Sequence, residues 1–173
     1  MTRLVSKPLL ALVATLSVGP ALGQTPAAAP APAPSAYLTP IGPSIGVEAA
    51  KKAAAAALAE ARKNGWLMVV AVVDPAGTLV YYEKMDNVQL ASAKVAVGKA
   101  RSAALYKRPT KAFQDAVAGG GAGTRVLALE GAVPVDGGLP LIQGGKLIGG
   151  IGLSGDLSEN DAKCAAAGVA TLN

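Results

Sequence analysis

The stretch Gly137–Gly155, GGLPLIQGGKLIGGIGLSG, decides the fold of this chain. It predicts two apolar strands, Leu139–Ile142 and Lys146–Ser154, joined by a turn at Gly144-Gly145, because a Gly-Gly pair accepts the positive φ angles of a tight hairpin turn. Three glycines fall within the last six residues of the second strand. Glycine weakens a strand unless another part of the structure must approach its backbone closely. We therefore expect a helix or a second subunit to lie tightly against this strand.

The segment Gly150–Gly155, GIGLSG, also matches the GxGxxG pattern of dinucleotide-binding loops. In that motif the glycines form the turn between a strand and a helix, inside a unit of parallel strands. Here the first two glycines lie inside the predicted strand of a hairpin, so the required context is missing. The pattern therefore indicates a sheet hairpin and not a nucleotide site.

Helices and a second hairpin are predicted around this centre. Strands are predicted at residues 67–73 and 78–84, and helices at residues 44–64, 90–107, 111–118 and 158–172. The turn Asp74–Gly77, DPAG, joins the two strands. Ser44 is the expected N-cap of the first helix, and Ser158 and Asp161 have the spacing of a capping box at the start of the last. This order predicts an α+β domain whose antiparallel sheet is covered by helices on both faces.

Composition narrows the classes of function. The 173 residues are 51% hydrophobic, which suits one domain with a substantial core. The net charge is only +5 and aromatic residues make up 3%, so the chain lacks the basic surface and stacking side chains of a nucleic-acid-binding protein. The chain contains no histidine, which excludes a Ser-His-Asp triad and histidine ligation of a metal. Its one cysteine, Cys164, forms no intrachain disulfide and is expected to be a small buried residue.

Residues 1–23 have the pattern of a secretory signal peptide. Two basic residues precede an apolar run at Leu9–Val18, and small residues end the segment at Ala21-Leu22-Gly23. The apolar run is too short to span a membrane, so we expect a periplasmic or secreted protein without a membrane span after cleavage. Residues 24–36 form an Ala/Pro-rich spacer that cannot bury a core, and the folded domain is expected at residues 37–173.

Candidate binding residues lie in two places outside the glycine-rich hairpin. Met85 and Asp86 follow the second predicted hairpin, where they could orient a ligand. Alternatively, Asp86 could cap the next helix while Met85 fills the core, and the sequence leaves both possibilities open. Lys94, Lys99 and Arg101 lie on that next helix, where they could neutralise ligand carboxylates or could form a solvated face.

Three blocks of the sequence carry a family resemblance. They are Val72–Asp86 (VVDPAGTLVYYEKMD), Lys99–Thr110 (KARSAALYKRPT) and Gly131–Gly155 (GAVPVDGGLPLI followed by GKLIGGIGLSG). Together they resemble the GlcG/HbpS family of haem-binding proteins, which is related to the C-terminal domain of PduO corrinoid adenosyltransferases. The resemblance covers nearly all of residues 39–172. It implies a profilin-like three-layer α/β/α fold with a five-stranded antiparallel sheet, homo-oligomers and, in several members, binding of haem or a related tetrapyrrole.

The resemblance also implies a haem site in the matched blocks and at the ends of the hairpin. The candidate residues are Met85, Asp86, Lys99, Arg101, Thr110, Gly138, Ser154 and Gly155. Some relatives are thought to ligate the haem iron through histidine, which this chain lacks. The remaining options for an iron ligand are Met85, Thr110, Tyr81, Tyr82, Tyr106 and Cys164. We favour Thr110 or Met85 as the metal ligand, because both lie in matched blocks.

Three functions are compatible with these residues. The resemblance favours an exported, oligomeric haem-binding protein for haem buffering, delivery or sensing. The alternative is an enzyme or accessory protein of glycolate-type metabolism, with Asp86 or Asp161 as acid or base and Lys94, Lys99 or Arg101 binding a substrate carboxylate. The sequence shows no pair of nucleophile and base, so it supports an enzyme less. A third possibility is a structural or sensory oligomer whose glycine-rich strand packs subunits together.

Overall fold

Four strands form one antiparallel sheet in the computed structural model, which describes residues 36–172. The strands are β1 (Val69–Val73), β2 (Leu79–Lys84), β3 (Gly138–Gln143) and β4 (Lys146–Ser154). Their order is β2-β1-β4-β3, and each neighbouring pair is antiparallel. The glycine-rich hairpin therefore supplies one central strand and one edge strand, as its pattern predicts. The predicted signal peptide and all but the last residue of the predicted spacer lie outside the described residues.

Helices cover both faces of this sheet. The described residues contain α1 (Val47–Asn64), α2 (Ser92–Tyr106), α3 (Lys111–Ala118) and α4 (Ser158–Val169), with short 3-10 helices at Ala36–Leu38, Gly121–Ala128 and Ala170–Leu172. On one face, Val70 and Val72 belong to a buried core that α1 and α4 complete. On the other face, Val69 and Ala71 pack against the alanines of α2. The expected three-layer α/β/α arrangement is confirmed, and no helix among residues 36–172 is both long and apolar enough to cross a membrane.

The sheet has four strands within the described residues, not the five that the resemblance implies. Beside β4, the segment Pro40–Gly42 makes only an isolated parallel bridge between Ile41 and Leu147. Two hydrogen bonds of 2.8 Å support the bridge, from the Gly42 N–H to the Leu147 carbonyl and from the Leu147 N–H to the Pro40 carbonyl. Pro40 and Pro43 have no backbone N–H to donate, so this segment cannot extend into a regular strand.

The glycines of β4 allow α2 to lie directly on the strand. A Cβ atom at Gly150 would overlap the Ala100 carbonyl oxygen and lie 3.0 Å from the Ala104 nitrogen. A Cβ atom at Gly152 would overlap the Ala96 carbonyl oxygen and lie 3.0 Å from the Ala100 Cα. The expectation that a helix approaches this strand closely is confirmed.

One predicted helix cap is replaced by a tertiary contact. Ser158 is the first residue of α4, and the Asp161 carboxylate accepts a 2.7 Å hydrogen bond from Lys99 Nζ instead of completing a capping box. The ammonium group of Lys99 is a charged donor, and the Asp161 carboxylate therefore faces α2. Ser44 likewise precedes α1, whose N-cap is Gly46. Both cap predictions are wrong, although the helices themselves are present.

Candidate functional site

A surface cleft lies between the end of α1, the start of β1 and the end of β2. Its volume is about 430 Å³, and it is lined by Arg62, Leu67, Glu83, Lys84, Met85, Asp86 and Asn87. Small-molecule sites usually enclose about 300–1,000 Å³ and combine apolar walls with a few polar groups. The cleft falls in this size range but is more polar than is usual, because Leu67 and Met85 are its apolar residues and four of the other five residues are charged.

Met85 is fixed in the wall of the cleft by the backbone of Met68, which lies just before the adjacent strand β1. The Met68 N–H donates to Met85 Sδ at 3.3 Å, and the Met85 N–H donates to the Met68 carbonyl at 3.0 Å. The Met85 side chain is half-buried and packs against the core. A thioether sulfur has a second lone pair. Met85 therefore contributes to the core and can still present its sulfur to a ligand.

The charged residues of the cleft come from α1, from β2 and from the turn after β2. Arg62 of α1 forms a 3.5 Å ion pair with Glu83 of β2. Tyr81 donates a 2.9 Å hydrogen bond to the other Glu83 oxygen, and this bond raises the pKa of the Tyr81 phenol. Lys84 and Asp86 are exposed. The alternative in which Asp86 caps the next helix is wrong, because the N-cap of α2 is Ala91 and Asp86 lies five positions earlier.

Lys99 is not placed to bind a ligand carboxylate. Its ammonium group pairs with Asp161 at 2.7 Å, and the two side chains are only 1% and 3% exposed. Burial raises the pKa of Asp161, and the hydrogen bond and positive charge of Lys99 oppose that shift. The predictions of Lys99 as a carboxylate clamp and of Asp161 as an acid or base are therefore wrong, because each group is enclosed and already neutralised by the other.

Thr110 is fully buried and is hydrogen-bonded to Gly138. The Gly138 N–H donates to Thr110 Oγ1 at 2.9 Å, and the Thr110 N–H donates to the Gly138 carbonyl at 3.0 Å. A Cβ atom at Gly138 would lie 2.6 Å from Thr110 Cγ2, so this contact requires glycine. Thr110 therefore joins the start of α3 to β3, and its hydroxyl is not available to an iron atom in this arrangement.

Two further predicted residues have structural partners. Arg101 is exposed on α2, and its Nε donates to the Gly77 carbonyl at 3.0 Å, which holds the turn between β1 and β2. Ser154 is buried at the end of β4 and donates to the Ser92 hydroxyl at 3.0 Å. These contacts place Arg101 and Ser154 outside the lining of the cleft.

The eight predicted site residues therefore do not form one site. Only Met85 and Asp86 line the cleft. Gly155 lies behind the cleft wall, where an added Cβ atom would be 2.9 Å from the Leu67 carbonyl carbon. Sequence reasoning missed Arg62, because a cation in the last turn of a helix has the pattern of a solvated face. Only the contact between α1 and β2 identifies it.

Of the other proposed iron ligands, Tyr106 and Cys164 are occupied or enclosed, whereas Tyr82 of β2 is exposed but does not line the cleft. Tyr106 donates its hydroxyl to the Glu130 carbonyl at 2.6 Å. Cys164 is fully buried, and burial raises the pKa of its thiol to about 11. Among residues 36–172, no three His, Cys, Asp or Glu side chains are grouped to hold a metal ion. Of the six candidate iron ligands, Met85 alone lines the cleft.

Comparisons with known proteins agree with this fold. A family model described as haem-degrading protein HbpS-like matches residues 45–170. GlcG of Escherichia coli strain K12 is 35% identical over 100 residues, which are 58% of this chain and 73% of GlcG.

Two solved structures have the same fold at a similar level of identity. A double mutant of HbpS from Streptomyces reticuli is 33% identical, with a TM-score of 0.70 over 86% of this chain and 99% of that chain. A complex of PduOC with haem is 30% identical, with a TM-score of 0.68 over 75% of this chain and 96% of that chain. The resemblance found in the sequence is confirmed, and the chain belongs to the HbpS-like family.

Proposed function

We propose that this protein binds haem, or a related tetrapyrrole, in the cleft beside Met85, and that it does so as an exported homo-oligomer. One observation carries the proposal: the same cleft presents a thioether in an apolar wall and cations beside it. Membership of the HbpS-like family and the solved complex of the related PduOC with haem support the choice of ligand.

The side chains of the cleft suit the chemistry of haem. Haem is a flat apolar ring with two propionates and an iron atom that accepts axial ligands. Met85 would supply a thioether ligand, which is one of the axial ligands that proteins use. Leu67 would contact the ring, and Arg62 and Lys84 would neutralise the propionates. Bound haem would supply a redox-active iron at this surface.

Hemin titration followed by the Soret band tests this assignment. Met85→Leu keeps the apolar volume but removes the sulfur, so we expect a shifted Soret band and an affinity reduced by at least about tenfold. Met68→Leu is the matched control, because the Met68 side chain is buried in the core and its backbone contacts remain. Thr110→Val tests the other favoured ligand. If Thr110→Val folds and loses the Soret change while Met85→Leu keeps it, the assignment to Met85 is wrong.

The cations of the cleft give a second test. Arg62→Gln and Lys84→Gln should each weaken hemin binding by roughly two- to fivefold at low salt, since one exposed charge pair contributes a fraction of 1 kcal/mol. Lys52→Gln is the matched control, because Lys52 is an exposed cation on α1 that does not line the cleft. Equal weakening by all three substitutions would indicate a general charge effect and not a propionate site.

Export and oligomerisation are separate parts of the proposal. The predicted signal peptide supports a periplasmic or secreted location, and the family resemblance supports a homo-oligomer that buffers, delivers or senses haem. Cell fractionation and N-terminal sequencing of the mature chain test export. Light scattering of the purified protein tests the oligomer, and a monomer with full hemin affinity would remove this part of the proposal.

A second candidate function is supported by one further observation. Asp86 shares the cleft with Arg62 and Lys84, so an acid–base group lies near cations that could bind a small organic acid. Titration with glycolate, followed by NMR, tests this candidate. Glycolate-induced shifts at cleft residues that Asp86→Asn alters, in a protein that takes up no hemin, would favour the enzyme or accessory protein over the haem-binding protein.

A further inference from the structure

The buried ion pair between Lys99 and Asp161 joins the two helical layers at one edge of the sheet. The two charges come from α2 and α4, which lie on opposite faces, and both side chains are almost completely buried. Gly137 makes room for the contact: its φ angle is +112°, and an added Cβ atom would lie 2.9 Å from Lys99 Nζ. Burying two charges costs free energy of desolvation, which is offset only when the two groups pair with good geometry and make further hydrogen bonds.

Asp161 has a second partner. Its Oδ2 accepts from Lys99 Nζ at 2.7 Å, and its Oδ1 accepts the backbone N–H of Asp156 at 3.3 Å. Asp156 lies in the turn between β4 and α4, directly after Gly155. Lys99 fixes the carboxylate, and the carboxylate in turn fixes this segment.

The turn packs on the back of the cleft. An added Cβ atom at Gly155 would overlap the Leu67 carbonyl oxygen and lie 2.9 Å from the Met68 Cα. Leu67 lines the cleft, and the Met68 N–H donates to Met85 Sδ at 3.3 Å. A continuous series of contacts therefore leads from the buried ion pair to the thioether in the cleft wall.

We propose that Lys99 and Asp161 are positioning residues for the cleft. Their ion pair holds the Asp156 turn against Leu67 and Met68, and this fixes the sulfur of Met85. The effect on haem binding rests on the proposed function, whereas the effect on Met68 is a property of the free protein. Neither Lys99 nor Asp161 touches the ligand.

Hydrogen exchange of the haem-free protein tests the inference. In Asp161→Asn one of the two oxygens becomes an NH2 group, which donates and cannot accept. The remaining oxygen is expected to face the charged Lys99, so the Asp156 N–H loses the acceptor at its position. We expect the amide hydrogens of Asp156 and Met68 to exchange at least about tenfold faster than in the wild type. Glu159→Gln is the matched control, because Glu159 is an exposed carboxylate in the same first turn of α4 and should leave both rates unchanged.

Hemin dissociation then tests the effect on the site. We expect Asp161→Asn to release hemin several-fold faster and to broaden its Soret band, while Glu159→Gln behaves as the wild type. If Asp161→Asn does not fold, Lys99→Met/Asp161→Leu replaces it, because an apolar pair can substitute for a buried ion pair and also lacks the acceptor for Asp156.

Each outcome decides one part of the inference. A Met68 amide that exchanges at the wild-type rate in a folded variant overturns the positioning role. Faster exchange of Met68 with unchanged hemin dissociation overturns the effect on the ligand. If the wild type binds no hemin but the exchange result holds, the proposed function fails while the positioning of Met85 stands.

Discussion

Replacing Gly152 by alanine should strongly destabilise this protein, because the new methyl group would enter the backbone of α2. The added Cβ atom would overlap the Ala96 carbonyl oxygen and the Ala100 nitrogen, and would lie 3.0 Å from the Ala100 Cα. These are main-chain atoms, which cannot rotate away as a side chain can. The helix must therefore move away from β4, or the strand must bend.

The size of the effect follows from this geometry. Ordinary contact with a Cβ atom requires about 3.5 Å, so α2 must shift by roughly 1 Å. The shift would loosen the packing of Ala96 and Ala100 on Val69 and Ala71, which form the core on this face. Overpacking usually costs about 1–3 kcal/mol, and we expect the upper end, about 3 kcal/mol. For a domain of this size, that corresponds to a melting temperature lower by roughly 10 °C.

Urea unfolding followed by circular dichroism measures this loss, with Gly98→Ala as the matched control. Gly98 also lies at a close contact, but its added Cβ atom would be 3.3 Å from the Cγ2 of Val133, a half-buried side chain that can adjust. Alanine in a helix interior is favoured over glycine by about 1 kcal/mol. We expect Gly98→Ala to be neutral or stabilising. An unfolding midpoint of Gly152→Ala within error of the wild type would refute the reasoning.

Two further predictions concern buried titratable groups. Burial raises the pKa of Cys164 to about 11. At pH 8 its thiol should therefore react with an aromatic disulfide reagent roughly 100-fold or more slowly in the folded protein than in urea. Equal reaction rates would contradict the burial of Cys164. Burial also raises the pKa of Asp161 above 3.8, so the native state takes up this proton before the unfolded state does. The difference in unfolding free energy between the wild type and Asp161→Asn (wild type minus variant) should therefore increase as the pH falls from the pKa of Asp161 in the native state towards 3.8. A decrease over that range would show that the pKa shift has the opposite sign.

Most of the fold could be predicted because the local patterns agree with the tertiary structure. The Gly144-Gly145 turn has φ angles of +55° and +73°, as a glycine hairpin requires. Gly65 ends α1 in the left-handed conformation. Strand β1, which an apolar run predicts, is buried at every residue, because helices cover both faces of the sheet. In these segments the sequence pattern and the packing impose the same conformation.

The candidate site could be predicted only in part. Met85 and Asp86, two of the predicted site residues, both line the cleft, because a hairpin end brings adjacent residues to one location. Arg62 reaches the same cleft from a different element, and no local pattern indicates that contact. The fifth strand was an expectation from the resemblance alone, and residues 36–172 contain no pattern that requires it.

Lys99 could have been assigned correctly from helical spacing. Lys94, Arg101 and Leu105 share one side of α2, and all three are exposed. Lys99 falls on the other side, beside the buried residues Ala96 and Ala103, so the helical period places its charge in the interior. The amino-acid type suggested a ligand contact, whereas the position indicated burial, and the position was the better guide.

The close packing of α2 and the buried ion pair have a common physical origin. Glycines in β4 bring the helix so near to the sheet that its alanines touch the strand backbone. A long side chain on that helix then extends past the start of β3, where Gly137 and Gly138 offer no side chain to block it. Lys99 therefore reaches Asp161 in the opposite helical layer. If α2 lay further from the sheet, the Lys99 side chain would be too short to make this contact. On this argument, any substitution that lifts α2, such as Gly152→Ala, should also weaken the ion pair and accelerate exchange of the Asp156 amide, although the two sites share no direct contact.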